Sequence, residues 1–539
     1  MAAQISFKKL VDEMKTKKTT NGYDVLVAYS ETKVNELLHA RADSLNGHLS
    51  PESLNLDIKL WDRRRQEFYH MIVKLNVKRP VLEFQDNSEV HLIYDVESGS
   101  TQIDNLKEQP LPNGLIVVLK AKLCNVSGTV DADGEFKVTT NAEGQPVDMK
   151  PAEHNVVLNP DHQDAAQGIC IDMSGVTADV KSKPGTGQEA KDAVSDLDGI
   201  GADIANYFKG AASVKYYLAG VSNTHVPELG AHVLRPTSFN FTIAKGKDGD
   251  SALCMWIGVI HGANNGSASA TFQPSEENRI PIPTGSTASV IIHHDVLWEL
   301  FLKPNLEKHF PDLEALPTTP EESYRAEATL NVPDYYQPKE QKVEMVLIYL
   351  NQRIRDEIKF SPKDTKSIFT MSREIATNSP TAAAFTYKSP EQIVYWSWTW
   401  GGNPPEEDTG TAYLTFTWAA RARWTNATDG AHPNTINLEW ENDKKWTISG
   451  GGTRQTNNGW NIFNTKLMKD YVPPDLRSSD VPTPEVKLPM DSLDYFLTTN
   501  LLCPGKHMFK ADTIGSAETN GLAVPCDLII AGDIDTSVD

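Results

Sequence analysis

The sequence predicts an α+β protein in which long, strongly curved antiparallel sheets wrap around amphipathic helices. Three observations predict it. The first is a strand pattern from Phe68 to Phe84 that changes parity midway. Val73, Leu75 and Val77 share one face, Leu82 and Phe84 the other, and Arg79-Pro80 lies between. One extra residue swaps the faces of a strand, so a bulge or bend is expected there. The segment is far longer than the mean strand of about 5–6 residues, which suits a rolled sheet better than a compact sandwich. The second is a helix apolar almost all round, carrying Val296, Leu297, Trp298, Leu300, Phe301 and Leu302. Such a helix needs wrapping on most of its circumference. The third is that strand patterns bounded by Gly99, Gly114, Gly128, Gly134 and Gly144 outnumber helical ones.

In chain order, Phe7, Leu10, Val11 and Met14 recur at helical spacing and make a short amphipathic helix or arm. Tyr23–Tyr29 is a strand, and Ser30 caps a helix with Val34, Leu37, Leu38 and Leu45 on one side, ended by Asn46-Gly47. Further strands are expected at 89–96, 115–126, 136–140 and 169–180. Gln188–Val221 carries Ala193, Leu197, Ile200, Ile204, Phe208, Ala211, Val214 and Leu218 at steps of three and four. Gly199, Gly201 and Gly210 cost about 1 kcal/mol each inside a helix, so it is expected to break in two. Strands at 238–244, 253–260 and 288–292 lead into the central stretch Arg279–Phe310. There Ile280–Pro283 is extended, Thr284-Gly285 turns, Asp295 caps the helix and Pro304 kinks or stops it. After Leu316-Pro317 a Pro/Thr/Glu stretch to Glu322 reads as a linker. Beyond it come mostly strands, with weak helical cues at Glu340–Arg355. The organisation is an arm at 1–20, a subdomain at 21–316 including the helix 295–309, and a β-rich, Trp-rich subdomain at 317–539.

Net charge is −21, from 72 acidic and 51 basic residues. A general nucleic-acid binder needs the opposite balance to neutralise phosphates. The N-terminus lacks an apolar signal-peptide core, and no run of about 18 apolar residues suits a bilayer span. The expected location is cytoplasmic. Cys124, Cys170, Cys254, Cys503 and Cys526 are odd in number and form no CxxC pair, so they read as buried thiols rather than a disulfide frame. Asn125-Val-Ser127, Asn265-Gly-Ser267 and Asn426-Ala-Thr428 match the glycosylation sequon, which means little without an export signal.

No catalytic motif is found: no HExxH, GxSxG, Walker loop or Rossmann GxGxxG. The chain reads as non-enzymatic, with no cofactor and no metal implied. His293-His294-Asp295 is the densest polar constellation, and adjacent strand residues point to opposite faces. A strand end capping a helix is the favoured reading over a metal site, which wants three or more ligands. Asp131-Ala-Asp133-Gly134-Glu135 reads as a β-turn before a calcium loop, and Gly450-Gly451-Gly452 as a flexible turn before a phosphate cradle. Asp62-Arg63-Arg64-Arg65 reads as a solvated turn, with lipid-phosphate contact as the sharper alternative. Tyr395–Trp400 alternates and puts three tryptophans on one face; Phe416, Trp418, Ala420, Ala422 and Trp424 alternate against Arg421 and Arg423. A sheet core is the first reading of these faces, and sugar stacking or membrane wedging the functional ones.

Several stretches together resemble one family. Asn21-Gly22-Tyr23-Asp24-Val25 followed by Val34-Asn35 is similar to its N-terminal signature. Leu234–Phe239, the strand Leu253–Ile257 and the central IPIPTGSTASVIIHHDVLWELFLKPNLEK are similar to its middle. Met490–Lys506, Pro525-Cys526-Asp527-Leu528 and Gly532 match its tail. This is the clostridial forty-seven-kilodalton (P-47) family, kin to the OrfX proteins encoded beside botulinum neurotoxin genes. The chain departs from it at Tyr23, where the family has Trp, and at Thr284-Gly285-Ser286, where it has Glu-Gly-Tyr. The resemblance implies a tubular lipid-binding (TULIP) fold, with two subdomains forming an elongated tube. It also implies an apolar cavity that takes a lipid or other hydrophobic small molecule. Candidate lining residues are Val34, Leu37, Leu38, Ile204, Phe208, Val296, Leu297, Leu300 and Phe301. Two alternatives stand beside it. One is an interaction protein with a filled core, accessory to a toxin-like or secreted complex and bound to a protein partner. The other is a sugar-binding module using Trp396, Trp398 and Trp400. Transient membrane contact belongs to the carrier reading.

Overall fold

A computed structural model describes residues 5–15, 17–41, 51–62, 66–130, 136–142, 150–151, 156–157, 165–197, 199–210, 216–222, 236–246, 251–259, 262, 266–267, 269–275, 280–308, 310–329, 335–344, 351–360, 366–372, 382–389, 392–400, 406–426, 436–440, 446–455, 509–511 and 521–534. The chain forms two compact units. One joins Met1–Leu300 with Asn426–Ile436 and Met490–Asp539; the other joins Phe301–Thr425 with Asn437–Pro489.

Among the described residues the first unit holds two sheets. One runs Val156–Val157, Pro236–Lys245, Ser251–Val259, Val25–Ser30, Ala288–Ile292, Leu528–Ile534 and Phe509–Ala511. Its central strands, Ser251–Val259, Val25–Ser30 and Ala288–Ile292, are buried at every position, which is why their sequences are nearly continuous apolar runs, broken only by serines such as Ser289. The strand Leu528–Ile534 pairs with Ala288–Ile292, so the far end of the chain completes this sheet. The turn before Val25 uses positive φ at Asn21 and Gly22. Asp24 is buried, and its carboxylate accepts from Val259 N at 2.7 Å. Tyr23 donates its hydroxyl to Ser267 O at 3.2 Å and accepts from Asn240 Nδ2 at 3.4 Å, and an indole N–H could donate but not accept.

The other sheet runs Tyr216–Ser222, Ala165–Ser182, Leu115–Val130, Glu89–Ile103, Glu67–Val77 and Ser53–Asp62. Val81–Phe84 also pairs with Glu89–Ile103, continuing the line of Glu67–Val77. The bend expected at Arg79-Pro80 is present. Val77 stands opposite Val96 and Val81 opposite Ile93, so this segment carries one residue more than its partner across Arg79-Pro80, and burial passes from Val73, Leu75 and Val77 to Leu82 and Phe84.

This sheet curls into a half-barrel. The helix Gly201–Gly210 touches both Ala165–Ser182 and Ser53–Asp62, which lie four places apart in the strand order. On a flat sheet those strands would be about 19 Å apart, whereas this ten-residue helix is only about 15 Å long and, with its side chains, about 10–12 Å wide. The sheet must therefore wrap around the helix. Gly201 allows the closest approach, because a Cβ there would stand 2.1 Å from the Ala178 carbonyl oxygen.

The helical stretch after Lys183 does break at its glycines, into Gln188–Asp196 and Gly201–Gly210, with Gly199 at φ 95. Its expected continuation to Val221 is wrong. Tyr216–Ser222 is a strand on Ala165–Ser182, where the β-favouring Tyr216, Tyr217 and Val221 find backbone partners. Leu45 and Asn46-Gly47 lie outside the described residues, and the helix after Ser30 is described as Glu31–Arg41.

The central helix also differs from expectation. It starts at His294, widens into a π-turn over Leu297–Leu302, and resumes as Lys303–Glu307. Pro304 does not stop it. It stands in the first turn of the resumed segment, where a missing N–H is tolerated. Nor is the helix apolar all round: Val296, Leu297, Trp298, Leu302 and Leu306 are buried, Leu300 is half-buried, and Asp295, Glu299, Glu307 and Lys308 are exposed.

The second unit contains one sheet, ordered Glu314–Ala315, Glu322–Thr329, Lys366–Ser372, Ala383–Lys388, Glu406–Asn426, Gln392–Trp400, Asn351–Phe360 and Tyr335–Glu344. The helical cues at Glu340–Arg355 are overturned, because Tyr335–Glu344 and Asn351–Phe360 form an antiparallel pair. Gly450-Gly451-Gly452 is no turn either. It pairs with Ala412, Tyr413 and Leu414 inside the strand Trp446–Gln455. The expected alternation holds where side chains are described: Trp418, Ala420 and Ala422 are buried while Arg421 and Arg423 are exposed. Phe385 joins the core between Phe310 and Phe369, with ring centroids at 5.0 and 5.2 Å.

Candidate functional site: the inner face of the curled sheet

Strand alternation sets the face that meets the helix. On Leu115–Val130 the inward row is Leu115, Val117, Leu119, Ala121 and Leu123, all buried. Tyr94, Leu92 and Val90 stand opposite three of them on one neighbour. Ala178 and Ile171 stand opposite Leu119 and Leu123 on the other. Leu82 and Phe84 extend the row beyond Leu92 and Val90. Phe208 meets Tyr94 at 5.5 Å between centroids, and Ile204, one helical turn before it, is buried, as are Ile200 and Leu197. Ile204 and Phe208 therefore belong to this face.

Val34 and Leu38 are buried on the helix Glu31–Arg41, which runs along the strand Val81–Phe84. The Leu37 side chain lies outside the described residues. A polar row on this helix does what a neighbouring strand would do. The Glu31 carboxylate accepts from Phe84 N at 2.6 Å. Asn35 accepts from Leu82 N at 2.7 Å and donates to Leu82 O at 2.8 Å. His39 Nε2 lies 2.8 Å from Pro80 O, to which it donates. Helical steps of four residues advance about 6.0 Å, and strand steps of two residues about 6.6 Å, so the rows stay in step. In the sequence Asn35 stands out only within the stretch that resembles the family, and the signal for this role is Glu31, Asn35 and His39 at i, i+4 and i+8.

Val296 and Leu297 are buried in the central helix and Leu300 is half-buried, while the Phe301 side chain lies outside the described residues. The cap is not Asp295, as expected, but His293, whose Nδ1 accepts from Asp295 N at 3.2 Å. Asp527, fully buried, accepts from His294 N at 2.9 Å and from the Thr19 hydroxyl at 2.9 Å. Asp295 instead pairs with Lys18 Nζ at 3.0 Å. Burial pushes the Asp295 carboxyl upward, but the Lys18 bond and the charges of Lys18 and the two histidines outweigh it, leaving it below the usual range. Burial holds His294 below its ordinary value, against the Cys526 carbonyl, Asp295 and Asp527. His294 Nδ1 faces that carbonyl at 3.1 Å. Both histidines are thus engaged in holding the helix start, and among the described residues no group of three or more metal-ligating side chains occurs.

The nine sequence-predicted residues therefore sit on three helices, and the inner face itself accounts for Ile204 and Phe208. Asn125 was missed. It continues the inward row after Leu123, is 1% exposed, and has no hydrogen-bond partner for either amide atom. In the sequence it had registered only as part of a sequon, and its burial keeps it from glycosylation in the folded chain. The Asp131–Glu135 and Arg63–Arg65 stretches lie outside the described residues. No helix among the described residues is long and apolar enough to cross a membrane.

No family model matches the sequence, and no curated protein does. Among solved structures the chain is similar to P47 from Clostridium botulinum A2, at 12% identity over 96% of this chain and 99% of that one, with a TM-score of 0.43. It is also similar to a lipopolysaccharide binding protein, at 9% identity over 95% and 99% of the two chains, with a TM-score of 0.24. The first is a member of the family that the sequence motifs resemble.

Proposed function

We propose that this chain is a non-enzymatic binding protein that holds a lipid or other apolar molecule against the inner face of its curled sheet. The observation that supports this most is the half-barrel closing around the helix Gly201–Gly210, with an unbroken apolar row from Leu115 to Leu123. That row is about 27 Å long. An acyl tail fills half of a bilayer core of about 30 Å, so the row is long enough for one. Each CH₂ buried there would contribute about 0.8 kcal/mol. Contacts are assigned to Ile204 and Phe208 on this face, to Val34, Leu37 and Leu38 on the helix along its edge strand, and to Val296, Leu297, Leu300 and Phe301 on the central helix. Membrane contact is assigned to Phe68 and Leu106, each 64% exposed at one end of the same sheet.

A second reading is favoured by one observation: Phe208 and Tyr94 are already packed against each other, and Ile204 is fully buried. In that reading the helix itself fills the curl, and the chain is an interaction protein acting with a protein partner. Native mass spectrometry of the purified protein, after incubation with mixed lipids, separates the two. A bound species of lipid mass, lost on denaturation, is the expected result. A clean apo mass would overturn the carrier reading in favour of the filled core.

A further inference from the structure

The inward row of Leu115–Val130 changes character along its length. It is apolar and buried through Leu123, then becomes Asn125, Ser127 and Thr129, with exposure rising from buried to half-buried to exposed. Asn125 is the step between the two halves. Its neighbours Cys124 and Val126 face the other way, where they cluster with Cys170 and Val138. Its own face carries Ile169, directly opposite, and Ile171 opposite Leu123. Gln167 stands opposite Ser127 and donates to its hydroxyl at 3.0 Å. That bond serves Ser127 and leaves the Asn125 amide oxygen and nitrogen without a partner. A buried amide stripped of water and given no hydrogen bond opposes folding, so a native structure keeps one for a reason.

We propose that Asn125 receives the polar head of an acyl lipid, its amide nitrogen donating to the head's carbonyl and its amide oxygen accepting from a head hydroxyl or N–H. The acyl tail then runs from Ile169 and Leu123 toward Leu119. This rests on the carrier reading and adds the orientation of the cargo and the chemistry of its head. Lys120, Lys122, Asp172 and Asp179 on these strands belong to the opposite face by alternation, and Lys120 and Asp179 pair with each other at 2.8 Å. Lys150 holds the register position opposite Asn125 on the short strand Lys150–Pro151. A comparison of oleate with monoolein therefore reads the charge of the head, both sharing the acyl carbonyl.

The test compares the full-length protein with its Asn125→Leu variant, by titration with monoolein, oleate and octadecane and by thermal melting without ligand. Leucine is close in volume and removes the unpartnered amide. The expected result is a roughly ten- to hundredfold loss of affinity for monoolein or oleate. Octadecane binding should be unchanged, and the ligand-free variant should melt higher. Unchanged monoolein and oleate binding overturns the proposal, as does equal loss for all three ligands. A lower melting temperature with unaltered lipid affinity also overturns it, since the amide is then satisfied within the protein. Should leucine prevent folding, Asn125→Ala gives the same comparison. If the wild-type protein binds none of the three ligands, the carrier reading itself fails and this proposal with it.

Discussion

At the scale of single residues, this protein places polar groups where an apolar side chain would look natural. Asp527, buried, joins the Thr19 segment to the start of the central helix. His294 lies beside it, held below its ordinary value by burial while Asp295 and Asp527 pull it up and Lys18 pushes it down. The fold therefore favours the neutral imidazole of His294. A group with a depressed folded value stabilises fully above its unfolded value of about 6.5, and loses that contribution as pH falls through the folded value. The urea midpoint of the wild type should drop more between pH 7.5 and pH 5.5 than that of His294→Asn. Parallel curves for the two proteins would show that this histidine does not govern the acid limb. The sequence marked His293-His294-Asp295 as the polar centre of the stretch. It did not show which of the three caps the helix, because the choice depends on Asp527, more than two hundred residues away.

At the scale of elements, the helix Glu31–Arg41 shows how one face can be read and another overlooked. Its apolar row, Val34 and Leu38, follows from periodicity and is buried as expected. Its polar row supplies hydrogen bonds along a strand edge, a role visible only when the strand Val81–Phe84 is beside it. Asn35→Ala should remove both bonds to Leu82 and a third to Glu31 O, leaving Leu82 N and O unserved and costing roughly 1–3 kcal/mol. Chemical denaturation would record this as a lower midpoint at unchanged slope. A cost below about 0.5 kcal/mol, the range of an ordinary surface change, would refute the role. The element expectations that failed share a cause. At 216–222 and 340–355 the sequence carries spacing compatible with a helix, but strand pairing decided the outcome: on Ala165–Ser182 for the first, and for the second between the two neighbouring strands themselves and on Gln392–Trp400.

At the scale of the molecule, Phe68 and Leu106 are exposed large apolar side chains at the end of the sheet where Glu89–Ile103 finishes. The chain just before Phe68 reads Arg63-Arg64-Arg65. Phe68→Ser combined with Leu106→Ser should reduce co-sedimentation with vesicles of phosphatidylcholine and phosphatidylserine several-fold, without lowering the melting temperature. Equal sedimentation of variant and wild type would place membrane contact elsewhere. Legible in the residues alone were the curved α+β class, the bend at Arg79-Pro80, the break in the helical stretch at its glycines, and the apolar rows at Val34, Leu38, Ile204 and Phe208. Each of these is local, written in parity, period or a residue's own backbone freedom. Folding had to bring distant segments together before the sheet closed around Gly201–Gly210, His293 rather than Asp295 capped the central helix, and Asn125 was buried without a partner. Those outcomes depend on which distant strands become neighbours, and pairing across long separations leaves no periodic trace in a single chain.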